Sequence, residues 1–415
     1  MDNVEIPEYF ICPISLQIMK DPVTAATGIT YDREGIEHWL LKGHNTICPV
    51  TKQPLPKDSE LTPNNTLRRL IRAWCAANSA NDVDQVPTPK PPMSKLYFLN
   101  LFRGLWLPTS QLQSLQNLER LATENESNRM QMVEAGVVKP IISFVVECHK
   151  KEVTTGLAKA LNIFFLIRSS LINQTKLVLL ENDEIIDALT WVLGWDNHLE
   201  DDPLTIKTHA ISAMKILVQM AKSVAMVRLK PDCFSRILCY IREKGSSRQG
   251  INAALQIMLD SCSWGRNRIM MVEAGTVFEL IELEFNSTEK KTTELILGIL
   301  FHLCSCADGR AQFLSHAAGV AVVTKRILKV SPAADARAML ILLSISKFSG
   351  TVGVLQEMLR VGAVAKLCMV IQANCESYLK DKAREILRTH SSVWKDSPCI
   401  DIPTLTSDKI SQLTL

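Results

Sequence analysis

Two short stretches near the amino terminus begin like zinc sites and then lack the second ligand. In "CPIS", Cys12 is followed three residues later by Ser15, and in "CPVT", Cys48 is followed by Thr51. Two structural zinc ions need about eight Cys or His ligands. The Cys and His residues of positions 1–75 are only Cys12, Cys48, Cys75, His38 and His44. This region is therefore predicted to fold without zinc or any other cofactor.

Without metal, side-chain contacts must hold the two loops at about residues 11–27 and 44–60. Hydrogen bonds and ion pairs can do this, provided that every buried member of the network is satisfied. The residues with suitable side chains are Ser15, Asp21, Thr30, Tyr31, Asp32, Arg33 and Thr51. We expect these side chains to tie the loops to the elements between them.

A strand and a helix lie between the loops. "GITYDR" predicts a turn and a short strand at residues 29–31, after which the Asp32 carboxylate can cap a helix by accepting from free backbone N–H groups. "REGIEHWLLKG" then places Ile36, Trp39 and Leu40 on one side of that helix, which is predicted to end at Gly43.

A second helix follows in "LTPNNTLRRLIRAWC", with Asn64 or Asn65 as its cap. Its apolar residues recur at i, i+3, i+4 and i+7, which predicts a buried stripe. The stripe consists of Leu67, Leu70, Ile71 and Trp74.

The rest of the chain is a polar, proline-rich segment followed by helical repeats. The proline-rich composition of residues 79–95 predicts a semi-extended linker. From residue 96 onward, "NRMQMVEAG" returns as "NRIMMVEAG", and turns recur every 40-odd residues near Gly136, Asp183, Asp232, Gly275, Ala317 and Gly362. This period lies in the armadillo/HEAT range and predicts an α-solenoid over residues 96–397 with a concave surface, followed by a tail at 398–415. A globular helical bundle is the alternative, which the regular period disfavours.

Composition narrows the class of protein. The formal net charge is +3 and charged residues make up 21%, so nothing indicates nucleic-acid binding. The strongest apolar run, residues 295–306, is too short to span a membrane, and the start of the chain lacks the features of a signal peptide. Twelve scattered cysteines are typical of reduced thiols, which predicts a cytoplasmic protein, with the nucleus as an alternative.

The first 78 residues resemble a U-box, the zinc-free relative of the RING domain. The matching stretches are "CPISLQIMKDPV", "TGITYDR", "IEHWL", "CPVTKQPL" and "LTPNNTLRRLI". Together with "PTPKPP", "WGRNR" and "CADGRAQFLSHAAGVAVV", they make the whole chain resemble the plant U-box–armadillo ubiquitin ligases. The resemblance implies a mostly α protein, with a small α+β U-box domain at 1–78 before an armadillo-type solenoid.

The resemblance also implies a function and a site. A U-box docks a ubiquitin-conjugating enzyme (E2) charged with ubiquitin as a thioester, and a substrate lysine attacks that thioester directly. The implied E2 contacts are Ile14, Leu16, Trp39 and Pro49, although core packing is the alternative for Trp39. The residues with an implied structural role are Cys12, Asp21, Tyr31, Asp32, Arg33, Cys48 and Thr51.

Lys52 departs from a common pattern of this family. Many RING and U-box ligases have an arginine here that bridges the E2 and ubiquitin. Lysine keeps the positive charge but lacks the planar, two-pronged guanidinium of arginine. Lys52 therefore either favours the closed, reactive E2–ubiquitin conjugate less strongly than arginine would, or is only a solvated surface charge.

The predicted function is an E3 ubiquitin ligase whose solenoid recruits a protein substrate, with stress or defence signalling implied by the family. The repeats lack the regular ladder of Trp and Asn residues that grips nuclear-localisation peptides, so binding of such peptides is not expected. The alternative is a non-catalytic armadillo scaffold with an inactive U-box. The presence of the implied E2-contact residues Ile14, Trp39 and Pro49 favours the ligase.

Overall fold

Two compact units make up the chain, Met1–Met93 and Ser94–Leu415. The computed structural model describes residues 6–42, 45–55, 61–77, 95–170, 184–195, 202–220 and 222–394. The predicted tail at 398–415 and the predicted helix end at Gly43 lie outside these residues, as does the predicted linker except for Lys95, which already belongs to a helix.

A three-stranded antiparallel sheet organises the first unit. Its strands are β1 (Pro22–Thr24), β2 (Thr30–Asp32) and β3 (Thr62–Pro63), in the order β2-β1-β3. A short 3₁₀ turn, Glu8–Phe10, precedes the sheet. Helix α1 (Arg33–Glu37) follows β2 directly, continues as a π-helical turn at His38–Lys42, and is followed after β3 by α2 (Asn65–Ala77). The members of the buried core are Phe10, Cys12, Met19, Val23, Ala25, Tyr31, Ile36, Leu40, Cys48, Leu55, Ile71 and Cys75.

Helix α2 begins as predicted but buries a narrower stripe. The N–H of Leu67 donates to Asn64 Oδ1 at 3.0 Å, so Asn64 is the cap. Leu67 and Trp74 pack against the core and Ile71 is fully buried. Leu70, however, is 53% exposed, and its predicted burial is wrong. The helix lies at the edge of a small unit, so only the side chains that face the sheet are covered.

The second unit is helical throughout the residues that the structure describes. It starts with α3 (Lys95–Gly104), α4 (Gln111–Glu124), α5 (Glu126–Glu134), α6 (Val138–Lys151), α7 (Leu157–Ile167) and a 3₁₀ turn at Arg168–Ser170. It continues with α8 (Ile185–Leu193), α9 (Pro203–Met220), α10 (Lys222–Arg228), α11 (Pro231–Arg242), α12 (Arg248–Ser261), α13 (Gly265–Glu273), α14 (Thr276–Asn286) and α15 (Lys290–Leu303). It closes with α16 (Ala307–Ser315), α17 (Gly319–Arg326), α18 (Pro332–Ser349), α19 (Val352–Arg360), α20 (Ala363–Gln372), α21 (Ser377–Thr389) and α22 (Ser391–Trp394).

These helices stack in two ladders. One ladder runs through the third helix of each repeat, in the order α4, α7, α9, α12, α15, α18 and α21, and we call its open side the third-helix face. The other runs through α6, α8, α11, α14, α17 and α20, and we call its open side the second-helix face. Helices between two neighbours are apolar around much of their circumference, as in α15, because they are covered on several sides. The predicted mostly α fold with repeated helices is confirmed.

The turn inside each repeat explains the recurring glycines. Gly136, Gly275 and Gly362 have φ values of 89°, 80° and 79°, a left-handed conformation that glycine adopts without steric cost. Asp232 lies in the first turn of α11, two residues after the break between α10 and α11 at residues 229–230, so the turn near it is present. Asp183 falls outside the described residues.

The repeated arginine of the "NR" motif caps the C-terminal end of the helix before it, which is the third helix of the preceding repeat. Arg129 Nη1 donates to the carbonyl of Ala122 at 2.9 Å, and Arg268 Nη1 donates to that of Cys262 at 2.7 Å. These contacts satisfy carbonyls that a helix end leaves without an intrahelical donor. Within the described parts of the chain, no helix has the length and apolarity needed to cross a membrane.

Candidate functional site

Two loops of the first unit have the same backbone arrangement. Loop 1 is "ICPISLQI" (residues 11–18) and loop 2 is "ICPVTKQP" (residues 47–54), with the cysteine, the proline and a glutamine in matching positions. In each loop the cysteine N–H donates to the glutamine carbonyl at 2.8 Å, and the cysteine carbonyl accepts from the residue four positions on. That residue is Leu16 in loop 1 and Lys52 in loop 2, and both are left-handed, with φ values of 56° and 58°.

Sulfur atoms anchor both loops. Cys12 is fully buried, and its sulfur accepts the N–H of Asp32 at 3.3 Å, which ties loop 1 to the end of β2. Cys48 is also fully buried, and its sulfur lies 3.4 Å from Thr27 Oγ1, 2.9 Å from the Tyr31 hydroxyl and 3.3 Å from the N–H of Thr51. The two cysteines thus act as hydrogen-bond hubs where a metal site would have ligands.

The hydrogen bonds shift the acidity of the hub at Cys48. Burial raises the pKa of this thiol, but the hydrogen bonds from Thr27, Thr51 and Tyr31 outweigh burial and lower the pKa to about 6. Burial and the shared contact with Cys48 raise the pKa of Tyr31 well above its usual range. These opposite shifts make the thiol the more acidic member of the pair, while the phenol keeps its proton.

An ion cluster joins the segment between loop 1 and β1 to both helices. Arg33 Nε lies 2.8 Å from Asp21 Oδ2, and the guanidinium of Arg68 contacts the other oxygen of the same carboxylate. Asp32 occupies the cap position of α1, but its carboxylate does not cap the helix as predicted. It accepts instead from the N–H groups of Lys20 and Asp21, at 2.8 and 2.7 Å, because the chain entering β1 passes beside it.

A second polar group joins the sheet to α2. Thr24 and Thr30 share a hydrogen bond between hydroxyls at 2.9 Å, and Asn64 Nδ2 lies 3.5 Å from both. Ser15, in contrast, is exposed and stands outside the network that the sequence predicted for it. Sequence reasoning missed Thr27, Asn64 and Arg68 as members of these networks. The only available signal was their polar character beside short apolar runs.

Helix α1 positions the two loops relative to each other. A methyl group at Gly35 would lie 3.7 Å from both Ile14 Cβ and Cys12 Sγ, so loop 1 packs against the start of the helix. One turn later, the indole N–H of Trp39 donates to the carbonyl of Ile47 in loop 2 at 3.0 Å. The helix therefore contacts loop 1 with one end and loop 2 with the other.

The predicted contact residues lie on the loops and helix of this arrangement with different exposure. Leu16 is 76% exposed, whereas Ile14, Trp39 and Pro49 are half-buried. Exposed apolar neighbours that the sequence analysis had not singled out are Ile47 and Val50, both on loop 2. Trp39 packs against the core and leaves part of its ring exposed, so its core packing is confirmed, whereas its contact with an E2 stays a prediction.

Lys52 folds back onto its own loop. Its ammonium donates to the carbonyl of Pro49 at 2.9 Å, and the residue is exposed. Among the described residues, no group of three or more His, Cys, Asp or Glu side chains is arranged to hold a metal ion.

The third-helix face of the second unit has a polar groove between α4, α7 and α9. Its volume is about 320 Å³, and its lining includes Glu119, Lys159, Asn162, Asp202 and His209. Glu119 accepts from Asn162 Nδ2 at 2.7 Å and lies 3.4 Å from Lys159 Nζ. Burial, and secondly the charge of a nearby guanidinium, lower the pKa of His209, so its imidazole is neutral near pH 7.

Comparison with known proteins gives matches over nearly the whole chain. A family model described as "U-box domain" matches residues 6–80, and one described as "Plant U-box protein ARM repeat region" matches residues 103–410. The chain is 43% identical to the E3 ubiquitin-protein ligase PUB24 of Arabidopsis thaliana, a match that covers 98% of this chain and 96% of that protein. The E3 ubiquitin-protein ligases PUB23 and PUB22 of the same plant are 39% and 37% identical, covering 96% of this chain and 96% and 97% of their own lengths.

Solved structures show the same fold at low identity. A chain from a study of the interaction between cadherin and beta-catenin matches with a TM-score of 0.56 at 12% identity, covering 79% of this chain and 61% of that chain. The structure of Uso1-2 matches with a TM-score of 0.53 at 10% identity, covering 74% and 52%. At these identities the likeness concerns the helical-repeat fold alone.

Proposed function

The chain belongs to the plant U-box and armadillo-repeat family of E3 ubiquitin-protein ligases, and on this premise we propose that its first unit docks a ubiquitin-charged E2 through loop 1, helix α1 and loop 2. The family resemblance predicted from the sequence motifs is confirmed, and the protein is an E3 ubiquitin transferase.

The observation that carries the E2 proposal is the pair of matched loops on one short helix. The loops present Leu16 at 76% exposure and Val50 at 49%, beside the half-buried Ile14, Trp39 and Pro49. A small surface of this kind, with an aromatic residue among aliphatic neighbours, is typical of interfaces anchored by few residues. Leu16 is the residue best placed to enter a partner's surface, and Trp39 supports it while fixing loop 2.

Transfer then proceeds by proximity. The ligase orients the thioester of the charged E2 towards a substrate lysine, whose amine attacks the thioester carbonyl and releases the E2 thiol. The cysteines of the first unit, Cys12, Cys48 and Cys75, are all buried. Their burial supports direct transfer from E2 to substrate, without a covalent intermediate on the ligase.

The first unit is proposed to keep this arrangement without zinc. The positions that would supply ligands instead form the sulfur hubs at Cys12 and Cys48 and the ion cluster around Asp21. Each of these contacts joins a loop to the sheet or to a helix, which is the task that a structural zinc ion performs in other small domains.

The solenoid is proposed to recruit the protein substrate on its third-helix face. The groove lined by Glu119, Asn162 and His209 offers hydrogen-bond donors and acceptors in about 320 Å³. We further propose a cytoplasmic location, with entry into the nucleus as the alternative, and a role in stress or defence signalling. The reduced, scattered cysteines support the location, and the family alone supports the role.

Replacing Leu16 with aspartate tests the E2 surface. With E1, a panel of E2s, ATP and ubiquitin, the full chain should make polyubiquitin on itself, and Leu16→Asp should reduce this at least about 30-fold, since losing a central anchor costs about 2 kcal/mol or more. Leu70→Asp is the matched control, because Leu70 is another exposed leucine of the first unit and lies on α2, away from both loops in the sequence. It should keep full activity.

A chelator added to the same assay, with E1 and E2 shown to be unaffected, should change nothing. Full activity of a folded Leu16→Asp variant would remove loop 1 from the E2 surface. Stoichiometric zinc in the purified protein would contradict the metal-free proposal. Inactivity of the unmodified chain with every E2 would favour the scaffold alternative.

A further inference from the structure

A second groove lies on the other side of the solenoid, on the second-helix face. It has a volume of about 480 Å³ and is built from the end of α6, the end of α8 and the start of α11. Its lining residues are His149, Asp187, Thr190, Trp191, Gly194, Trp195, Lys230, Asp232 and Arg236. Ligand sites in proteins have volumes of about 300–1,000 Å³. This groove shares no lining residue with the groove proposed for the substrate.

Two half-exposed tryptophans form its walls. The Trp191 and His149 rings lie 5.6 Å apart between centroids and are tilted by 50°, so they make a continuous aromatic surface. Trp195 follows two residues after the end of α8. Neither indole N–H is hydrogen-bonded to a residue that the structure describes. Tryptophan N–H groups in protected sites usually find an acceptor, and none of the described residues supplies one to these two donors.

The charges of the groove are largely matched within it. Asp187 Oδ2 lies 2.6 Å from Lys230 Nζ, and Asp232 Oδ1 lies 3.4 Å from Arg236 Nε. The Arg236 guanidinium also covers Gly194, where an added methyl group would lie 2.4 Å from Nη1. Both carboxylates are therefore engaged, while the indole N–H groups are not. The groove thus combines paired charges with aromatic surface and two indole N–H donors.

These properties select a ligand that is rich in acceptors and poor in donors. Consecutive prolines have this chemistry, because each residue has a carbonyl but no backbone N–H. A proline-rich segment is also extended before binding and presents flat apolar rings, which dock on aromatic-lined grooves at a low entropic cost. A helical peptide keeps its backbone carbonyls in its own hydrogen bonds, so it would offer few acceptors to the indole N–H groups. A strand-forming peptide would bring a backbone N–H at every residue, whereas consecutive prolines bring none.

We propose that the groove formed by Trp191, Trp195, His149 and Arg236 binds a proline-rich, extended segment of a partner protein. The indole N–H groups donate to carbonyls of the segment, and the proline rings pack on the indole and imidazole faces. The groove gives the ligase a second docking site beside its substrate groove, through which a partner can be held without occupying the third-helix face.

Fluorescence anisotropy with the full chain tests the proposal. The probe is fluorescein-labelled decaproline, and the comparison peptide is an Ala-Gln decapeptide of the same length. Decaproline should bind at least tenfold more tightly. Trp191→Phe and Trp195→Phe keep a ring but lose the N–H donor, so each should weaken decaproline binding about three- to tenfold. Trp106→Phe is the matched control, since Trp106 is a 50% exposed tryptophan outside the groove, and it should bind like the unmodified chain.

Self-ubiquitination should be unchanged in all three variants, which separates this site from the E2 surface. Melting temperatures within about 1 °C of the unmodified chain show that the variants are folded. Equal affinity for the two peptides, or full decaproline affinity in the double Trp191→Phe, Trp195→Phe variant, would overturn the proposal. A variant with serine at Pro87, Pro89, Pro91 and Pro92 completes the test. If it binds decaproline more tightly than the unmodified chain, the chain's own segment occupies the groove, and the assignment to a partner is wrong.

Discussion

Single residues of the two matched loops have a strained backbone and carry the side chains proposed for contact with the E2. Leu16 and Lys52 are left-handed without being glycine, a conformation that costs an L-residue about 1–2 kcal/mol. The same closing hydrogen bonds in both loops hold them there. Because their backbones are equivalent, the two residues differ only in side chain: Leu16 offers an apolar contact and Lys52 a cation.

Lys52→Arg should improve ubiquitin transfer. The Lys52 ammonium is a point charge that now donates to Pro49 of its own loop, so contact with the E2–ubiquitin pair must compete with this hydrogen bond. A guanidinium can keep one carbonyl contact and make another, and charge-assisted hydrogen bonds are the stronger kind. We expect lysine discharge of the charged E2 to speed up about two- to tenfold, which corresponds to about 1 kcal/mol in the barrier. Single-turnover discharge assays measure this rate.

Lys52→Ala is the companion variant and should slow discharge, while direct measurement of E2 binding should give nearly the same affinity for all three proteins. The reason is that the contacts of an arginine at this position should form mainly in the reactive E2–ubiquitin conformation, so they should change the discharge rate more than the affinity for the E2. Equal discharge rates for all three proteins would show that Lys52 is only a solvated surface charge. Another residue would then have to favour the closed E2–ubiquitin conjugate.

At the scale of elements, loop 2 depends on one sulfur atom. The hydrogen bonds of Thr27, Tyr31 and Thr51 converge on Cys48, and through them the loop is tied to β2 and to the turn before it. Loop 1 is anchored differently, since the sulfur of Cys12 accepts one backbone N–H and the ion cluster around Asp21 holds the segment between loop 1 and β1. The two loops therefore share a shape but should respond differently to pH.

The stability of loop 2 should rise with pH. The pKa of Cys48 is about 6 in the folded protein, below the usual thiol value of about 8.5. Between these values the unfolded chain binds a proton that the folded chain has released, so stability increases with pH, by at most about tenfold in the opening equilibrium per pH unit. The contribution is fully present above about pH 8.5 and is lost as pH falls through about 6. Hydrogen exchange of residues 45–55, corrected for intrinsic rates, measures it.

Cys48→Ser removes the titrating group, so the gap in protection between the unmodified chain and this variant should widen from pH 6 to pH 8. Cys148→Ser is the control, because burial raises the pKa of Cys148 to about 12 and its thiol stays neutral over this range. A gap that is constant with pH would show that Cys48 is a neutral thiol in the folded protein.

At the scale of the whole molecule, the surfaces proposed for the E2 and for the other partners belong to different units. The first unit presents the loops and α1, and the second presents the polar groove of its third-helix face and the aromatic groove of its second-helix face. Each helix of the second unit is covered mainly by its neighbours in the stack, as expected for a repeat architecture. Each of the two units buries a core of its own.

Deleting residues 96–415 should separate the two activities. A chain ending at residue 95 keeps every loop, helix and core residue of the first unit, so E2-dependent discharge to free lysine should stay within about twofold of the full chain. Modification of the physiological substrate should be lost, because the solenoid proposed to hold it is absent and the effective concentration gained by tethering disappears. Comparing both reactions on the two proteins measures this. A truncated chain that modifies its cellular substrate at the normal rate would contradict the division of labour.

Local patterns in the sequence determined much of this protein. The missing zinc ligands, the Asn64 cap and the repeated "NR" and glycine positions involve residues within a few positions of each other. Such features depend on backbone propensity and helical periodicity, which act over one or two turns. Stacked repeats also follow from sequence, since each repeat has an apolar face that it cannot cover alone.

Only the tertiary structure decided which distant side chains meet. Arg68 reaches Asp21 across 47 positions, Tyr31 meets Cys48 across 17, and Asp32 turns from its helix to the chain beside it. Leu70 has the same spacing as its buried neighbours, yet it is exposed because the unit ends at that side of α2. The facing of Trp191 and Trp195 towards α11 likewise depends on how successive repeats stack. Periodicity determines which side of a helix is apolar, whereas the packing of the whole chain determines what covers that side.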